Sequence, residues 1–259
     1  EPSGKGQMSY SNGDAYDGQW SVGQKLGNGR MVFANGDIFE GEWSGDLPNG
    51  QGFMTYANGD RFKGIFAKGD RVDMRGYMTY ANGDRYEGNF VQEKKHRDGI
   101  LTYNNGDTYT GQFDTDRKHG NGCMVYANGN KYEGKFAGDK RANGQGVMTY
   151  RNRDKYEGEW NTSRKSGRGT MTYANGDRFE GQWAEESRIN GVVGIMKYAN
   201  GDRYEGEWMN EMRHGTGTIT FNNGDQYEGR WGNDRKIGPG FFKTFSTGDI
   251  FPAPTSMIQ

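Results

Sequence analysis

The chain has 259 residues, a formal net charge of −1, 31% hydrophobic residues and a mean hydropathy of −1.08. That balance excludes the basic field on which nucleic-acid binding depends, the single Cys excludes an intrachain disulfide and fits a reducing compartment, and no stretch reaches the ~20 apolar residues of a membrane span. So little apolar content approaches disorder, but 14% aromatic residues and 45 glycines argue for packed structure, because large rings supply much apolar area per residue.

From the N-terminus onward the triplet Asn-Gly-Asp, or a close variant, recurs eleven times, centred on Gly13, Gly36, Gly59, Gly83, Gly106, Gly129, Arg153, Gly176, Gly201, Gly224 and Gly248. The intervals are 23 to 25 residues, which predicts a stacked array and not an enzyme with one central pocket. One unit runs from Gly50 to Phe66, and Asn-Gly between two apolar-alternating runs predicts a β-hairpin with strands near Gly52–Tyr56 and Arg61–Phe66. Met54, Tyr56, Phe62, Gly64 and Phe66 share parity. A two-residue loop would split Tyr56 and Phe62 between faces, whereas a three-residue loop with a Gly bulge keeps all five on one face.

Three repeat positions hold 32 of the aromatic residues: a series from Tyr10 to Phe245, a second from Tyr16 to Phe251, and a third from Trp20 to Trp231. These rings are the expected core, and the Gly between the second and third series (Gly18, Gly41, Gly64) is expected to leave room for a ring over the backbone. The pattern Y-x-G-x-W/F, a polar link, G-x-G and an NGD turn resembles the MORN repeat, over residues 4 to about 240 in ten units. The fold class expected is all-β: an elongated, twisted, single-layer antiparallel sheet of stacked 23-residue hairpins. Residues 1–240 form the array and 241–259 a degenerate last hairpin or C-terminal cap and tail.

The departures follow in chain order. Met74, Arg97 and Val192 each replace the first Gly of G-x-G, and Arg153 is expected to break its turn. The last unit carries Phe241, Phe242, Phe245 and Phe251 with Pro252 and Pro254, the candidate cap or dimer surface. The first strand shows no cap, so further repeats or another domain are expected ahead of Glu1. Homodimers are common among repeat-only members of the family that this chain resembles, and one through the terminal repeats is expected.

No catalytic constellation emerges. His96, His119 and His214 hold one repeat position, and neighbours about 10 Å apart are poorly placed to share a metal. No Walker, G-x-S-x-G or H-E-x-x-H motif occurs. No catalytic, cofactor or metal site is expected, and the chain is read as non-enzymatic.

Two features exceed the repeat. The links carry Lys94, Lys95, Arg97, Arg117, Lys118, Lys140, Arg141, Arg164, Lys165, Arg235 and Lys236, a candidate edge for anionic lipid, opposite an edge of turn aspartates. The second is a candidate partner stripe on the outward face: Phe53, Tyr77, Ile100, Cys123 and Val147, with Ile65 expected opposite Phe53. What the resemblance implies is a cytoplasmic scaffold displaying its ribbon to protein partners in a cytoskeletal, ciliary or membrane-skeleton assembly. The alternative is a direct anionic-phospholipid binder, or the regulatory part of a larger enzyme such as a lipid kinase.

Overall fold

Among the described residues, 1–72 and 75–252, the computed structural model is all-β and antiparallel, with 24 strands and no helix. Met74 and Pro254 lie outside the described residues. Contacts divide the chain into two units, residues 1–127 with 137–139, and 128–136 with 140–259. In each, consecutive strands pair as hairpins.

The hairpin turn follows from its sequence. In the unit around Gly59, Tyr56 N–H donates to Asp60 O (2.9 Å) and Gly59 N–H to Tyr56 O (2.9 Å), which leaves Ala57, Asn58 and Gly59 as a three-residue loop. Gly59 takes φ +93°, the left-handed conformation that glycine adopts without a Cβ clash. The register that results is Thr55 against Arg61, Met54 against Phe62 and Gly52 against Gly64. The expected loop length and shared face are both present. Arg153 does not break its turn: it takes φ +74° and its N–H still reaches Tyr150 O at 2.9 Å.

The links are hairpins too. They are not loose polar loops but tight two-residue turns in which both residues are left-handed, as at Thr115 (φ 48°) and Asp116 (φ 69°), or Asn233 (φ 48°) and Asp234 (φ 67°). A few residues before the link the strands slip register. Gly158 faces Gly169, but Trp160 faces Lys165, so Glu159 stands opposite a bulge. The bulge takes the first Gly of G-x-G, Gly167, at φ 58°. Arg97 holds the same position at φ 55° despite its Cβ, whereas beside Val192 it is Gly191 that is left-handed.

Packing fills one face. Tyr156 is fully buried, its ring edge-on to Trp160 of its own strand (5.4 Å) and to Trp183 of the next hairpin (5.2 Å). Its ring lies over Gly158 and Gly169, where a Cβ would collide with it. The Gly series therefore does admit a ring, and the ring comes from two residues earlier on the same strand. Each such buried ring contributes about 1.5–3 kcal/mol relative to exposure.

Carboxylates stitch hairpin to hairpin along both edges. At the turns, Asp60 Oδ1 accepts from Ala81 N–H of the next hairpin (2.8 Å) while Oδ2 accepts from Asn58 (3.0 Å). At the links, Asp116 Oδ1 accepts from Lys95 N–H (2.9 Å), and Glu211 Oε1 from Arg188 N–H (3.1 Å). Asp and Glu placed there satisfy backbone donors that the turns leave unpaired.

Candidate functional site: the open face and its glycine floor

The structure divides the candidate basic edge: Lys95, Lys118, Arg141, Lys165 and Lys236 turn onto the aromatic face, and its other six cations stay exposed. The bulge turns the second cation of each link over the aromatic face. Lys95 Nζ donates to Tyr80 Oη (3.0 Å), Lys118 Nζ to Tyr103 Oη (2.9 Å), and Arg188 to Tyr173 Oη (2.5 Å). Lys165 Nζ stands 5.6 Å from the Tyr150 ring, 5.5 Å from Tyr156 and 5.0 Å from Trp183, at 8% exposure. Arg141 lies over Tyr132 and Trp160, and Lys236 over Tyr227 and Phe242. Burial alone would lower the Lys95 pKa, but the Tyr80 hydroxyl and Asp116 outweigh it and raise it. Lys236 lacks a comparable set, and burial with the Arg213 charge lowers its pKa. Lys94, Arg97, Arg117, Lys140, Arg164 and Arg235 remain exposed, with Arg164 paired to Glu185. Where Pro48 replaces the inward cation it is buried, and the residue that would carry the accepting hydroxyl is Phe33 instead of Tyr.

The opposite face is open to solvent. Phe53, Tyr77 and Ile100 are 51%, 50% and 38% exposed, and Cys123 and Val147 are half-buried. Phe53, Tyr77, Ile100 and Cys123 lie in one row across the first unit but do not touch in sequence: Lys63 stands between Phe53 and Tyr77, Glu87 between Tyr77 and Ile100, Thr110 between Ile100 and Cys123. The Lys63 ammonium lies 5.1 Å from the Phe53 ring centre. Ile65 is not opposite Phe53; it pairs with Gln51, because the loop closing at Tyr56 and Asp60 fixes Phe53 against Lys63.

Between that row and the one two residues on, the paired glycines form a floor. In the first unit a cavity of about 510 Å³ is lined by Arg75, Glu87, Asn89, Asp98, Ile100 and Thr110 over Gly88, Gly99 and Gly111. In the second unit one of about 540 Å³ lies over Gly158, Gly169 and Gly181, and another of about 400 Å³ over Gly206, Gly217, Gly229 and Gly240. The strands slip register beside these glycines, and the residue opposite the bulge caps a backbone donor of it. Glu159 Oε1 accepts from Arg168 N–H (3.1 Å), and Glu207 accepts from Thr216 N–H (2.9 Å) and Thr216 Oγ1 (2.8 Å). Those two bonds hold the Glu207 pKa below its ordinary value. Of the expected stripe, Ile100 lines the first-unit cavity, a feature that the sequence reading missed and for which G-x-G was the signal.

His96 and His119 line a separate cavity of about 460 Å³ with Asp98, Gln112 and Asp114, and His96 Nε2 lies 3.8 Å from Asp114 Oδ1. Among the described residues no cluster of three His, Cys, Asp or Glu is placed to hold a metal ion. The C-terminal phenylalanines split. Phe242 stacks between Phe221 (6.2 Å) and Phe251 (6.0 Å) on the aromatic face, Phe241 faces Glu228 on the open face, and Phe245 sits at the turn, 76% exposed. They do not form one surface.

A family model described as MORN repeat matches residues 1–15, 16–38, 39–61, 86–108, 109–131, 132–155, 156–178 and 204–226, well over half of the chain. No curated protein matches the sequence. Among solved structures, the SAS-4 (dCPAP) TCP domain of Drosophila melanogaster in complex with a proline-rich motif of Ana2 (dSTIL) is similar at 16% identity and TM-score 0.40, covering 68% of this chain and 86% of that one. The wild-type TCP10 domain of Danio rerio CPAP in complex with a STIL peptide is similar at 12% identity and TM-score 0.31, covering 97% and 94%. At these TM-scores no property of either protein is carried over to this chain.

Proposed function

Since the chain belongs to the MORN-repeat family, we propose that it is a non-enzymatic scaffold that receives segments of partner proteins in the glycine-floored grooves on the open face of each unit. One observation carries this reading: of the two faces, the aromatic one is closed by its own link cations, which leaves the open face as the surface with unfilled relief. A cytoskeletal, ciliary or membrane-skeleton setting follows from the family alone. The phospholipid alternative is left with Lys94, Arg97, Arg117, Lys140, Arg164 and Arg235, because Lys95, Lys118, Arg141, Lys165 and Lys236 are turned onto rings.

The test is selection of peptides from a display library on the intact chain, followed by affinity measurements on two triple variants. Phe53→Thr with Tyr77→Thr and Ile195→Thr alters the open face. Lys94→Gln with Arg117→Gln and Arg235→Gln alters the exposed link cations. The reading expects the first set to cost at least tenfold in affinity for some selected peptides and the second to leave them unchanged. Loss confined to the second set would refute it.

A further inference from the structure

The two units present different charge along corresponding rows of their open faces. In the second unit the row across the strands reads Val147, Glu157, Thr170, Glu180, Ile195, Glu205, Thr218, Glu228 and Phe241, each residue paired with the next. A carboxylate therefore stands on every second strand, four in succession, with no cation in the row. In the first unit the corresponding row is broken by Arg30 and Lys63. Resting on the reading that the open face receives protein segments, we infer that the second-unit groove is built for a basic segment in the polyproline II conformation, with a Lys or Arg at every third residue.

Spacing decides the conformation. Strands lie about 4.8 Å apart, so the carboxylates repeat at about 9.6 Å across the sheet. A polyproline II helix brings every third residue to one side at about 9.3 Å, a mismatch of roughly 1 Å over the three steps from Glu157 to Glu228. An α-helix returns a residue to one side after two turns, about 10.8 Å, and falls out of step by roughly 3.6 Å over the same span. An extended β-strand covers the distance in three residues, but successive contacts then point to opposite sides.

Charge and relief agree with this occupant. Glu157 and Glu180 line one second-unit cavity with the single cation Arg168, and Glu205 and Glu228 line the other with the single cation Arg230. Three of them are held only by surface pairs: Glu157 to Lys155 (2.9 Å), Glu180 to Arg178 and Lys197, and Glu205 to Arg203 (2.6 Å). Exposed pairs of this kind contribute about 0–1 kcal/mol, so an incoming cation exchanges for them at little cost. Beside the cavities, Glu159 and Glu207 are engaged with the backbone of the bulge and stay in place. Ile195 between the carboxylates, and Val147 and Phe241 at the two ends of the row, offer apolar contacts to the prolyl rings of such a segment.

The test uses the whole chain and fluorescein-labelled (Pro-Pro-Lys)5, followed by anisotropy at 0.15 M salt. A peptide of the same composition with its lysines bunched at one end tests spacing, and (Pro-Pro-Glu)5 tests sign. Glu157→Gln with Glu180→Gln, Glu205→Gln and Glu228→Gln removes the ladder, and Asp17→Asn with Glu40→Gln and Glu87→Gln is the first-unit control. The expected result is binding of (Pro-Pro-Lys)5 at least tenfold tighter than the bunched peptide, weakened at least tenfold by the second-unit variant and less than threefold by the control. Equal affinity for both lysine peptides, equal loss in both variants, or no binding overturns the inference. The peptide comparison needs no variant to fold. If a non-basic peptide from the display selection still depends on Phe53, Tyr77 and Ile195, the scaffold reading survives and only this inference fails.

Discussion

At Gly169 a Cβ would have to occupy the space of the Tyr156 ring, and at Arg153 a Cβ already sits where the backbone favours none. The two positions make opposite forecasts. Gly169→Ala is expected to cost about 1–3 kcal/mol in denaturant unfolding, since the ring above it is fully buried and has nowhere to go. Arg153→Gly is expected to add about 0.5–1 kcal/mol, the relief of a left-handed arginine less the entropy of a looser unfolded chain. Such positions also show what the sequence could tell. The turn register was legible because the parity of Met54, Tyr56 and Phe62 admits one loop length. The fate of Lys165 was not, because its direction is set by a bulge that slips register by two residues, and a pattern of polar and apolar letters carries no trace of it.

At the scale of the hairpin, the Asp of the NGD turn is the clamp to the next hairpin. Asp177 Oδ1 accepts from Ala199 N–H at 2.9 Å, while Oδ2 accepts from Asn175 at 2.9 Å. Asp177→Ala removes both acceptors and is expected to cost about 1–2 kcal/mol, with faster amide exchange at Ala199. Asp177→Asn should cost less than half as much, because Asn130 already performs the same task, accepting from Arg151 N–H at 3.0 Å. Equal exchange at Ala199 in both variants would refute the clamp. The acidic turn edge anticipated from sequence is therefore real in position but occupied in chemistry. A stripe of apolar residues was likewise anticipated where the structure shows apolar and polar residues alternating, because in an antiparallel array residues one repeat apart are separated by a whole strand.

For the molecule as a whole, the buried tyrosines set the alkaline limit. Burial drives the hydroxyls of Tyr86, Tyr109, Tyr156 and Tyr204 well above their ordinary value of 10.0. A folded value above the unfolded one means the stabilisation is complete below about pH 10 and is lost as pH climbs through the folded value. Tyrosinate absorbance is expected to show these buried tyrosines ionising together with loss of the β-sheet circular dichroism. Ionisation of all 16 tyrosines near pH 10 with the sheet intact would contradict this packing.

The paired clips have a further consequence for how such a chain changes over generations. In the second unit each turn carboxylate reaches forward to the next hairpin and each link carboxylate reaches back, a carboxylate oxygen accepting from a backbone N–H at successive seams. Loss or duplication of one whole period by misaligned recombination would join a donor to an acceptor of the same kind, and the new junction would be chemically indistinguishable from the old. Insertion of a single codon within a strand would instead throw every ring downstream in that strand onto the wrong face. Copy number is thus the variable this architecture leaves free to inheritance, and the reading frame of the repeat is the one it guards.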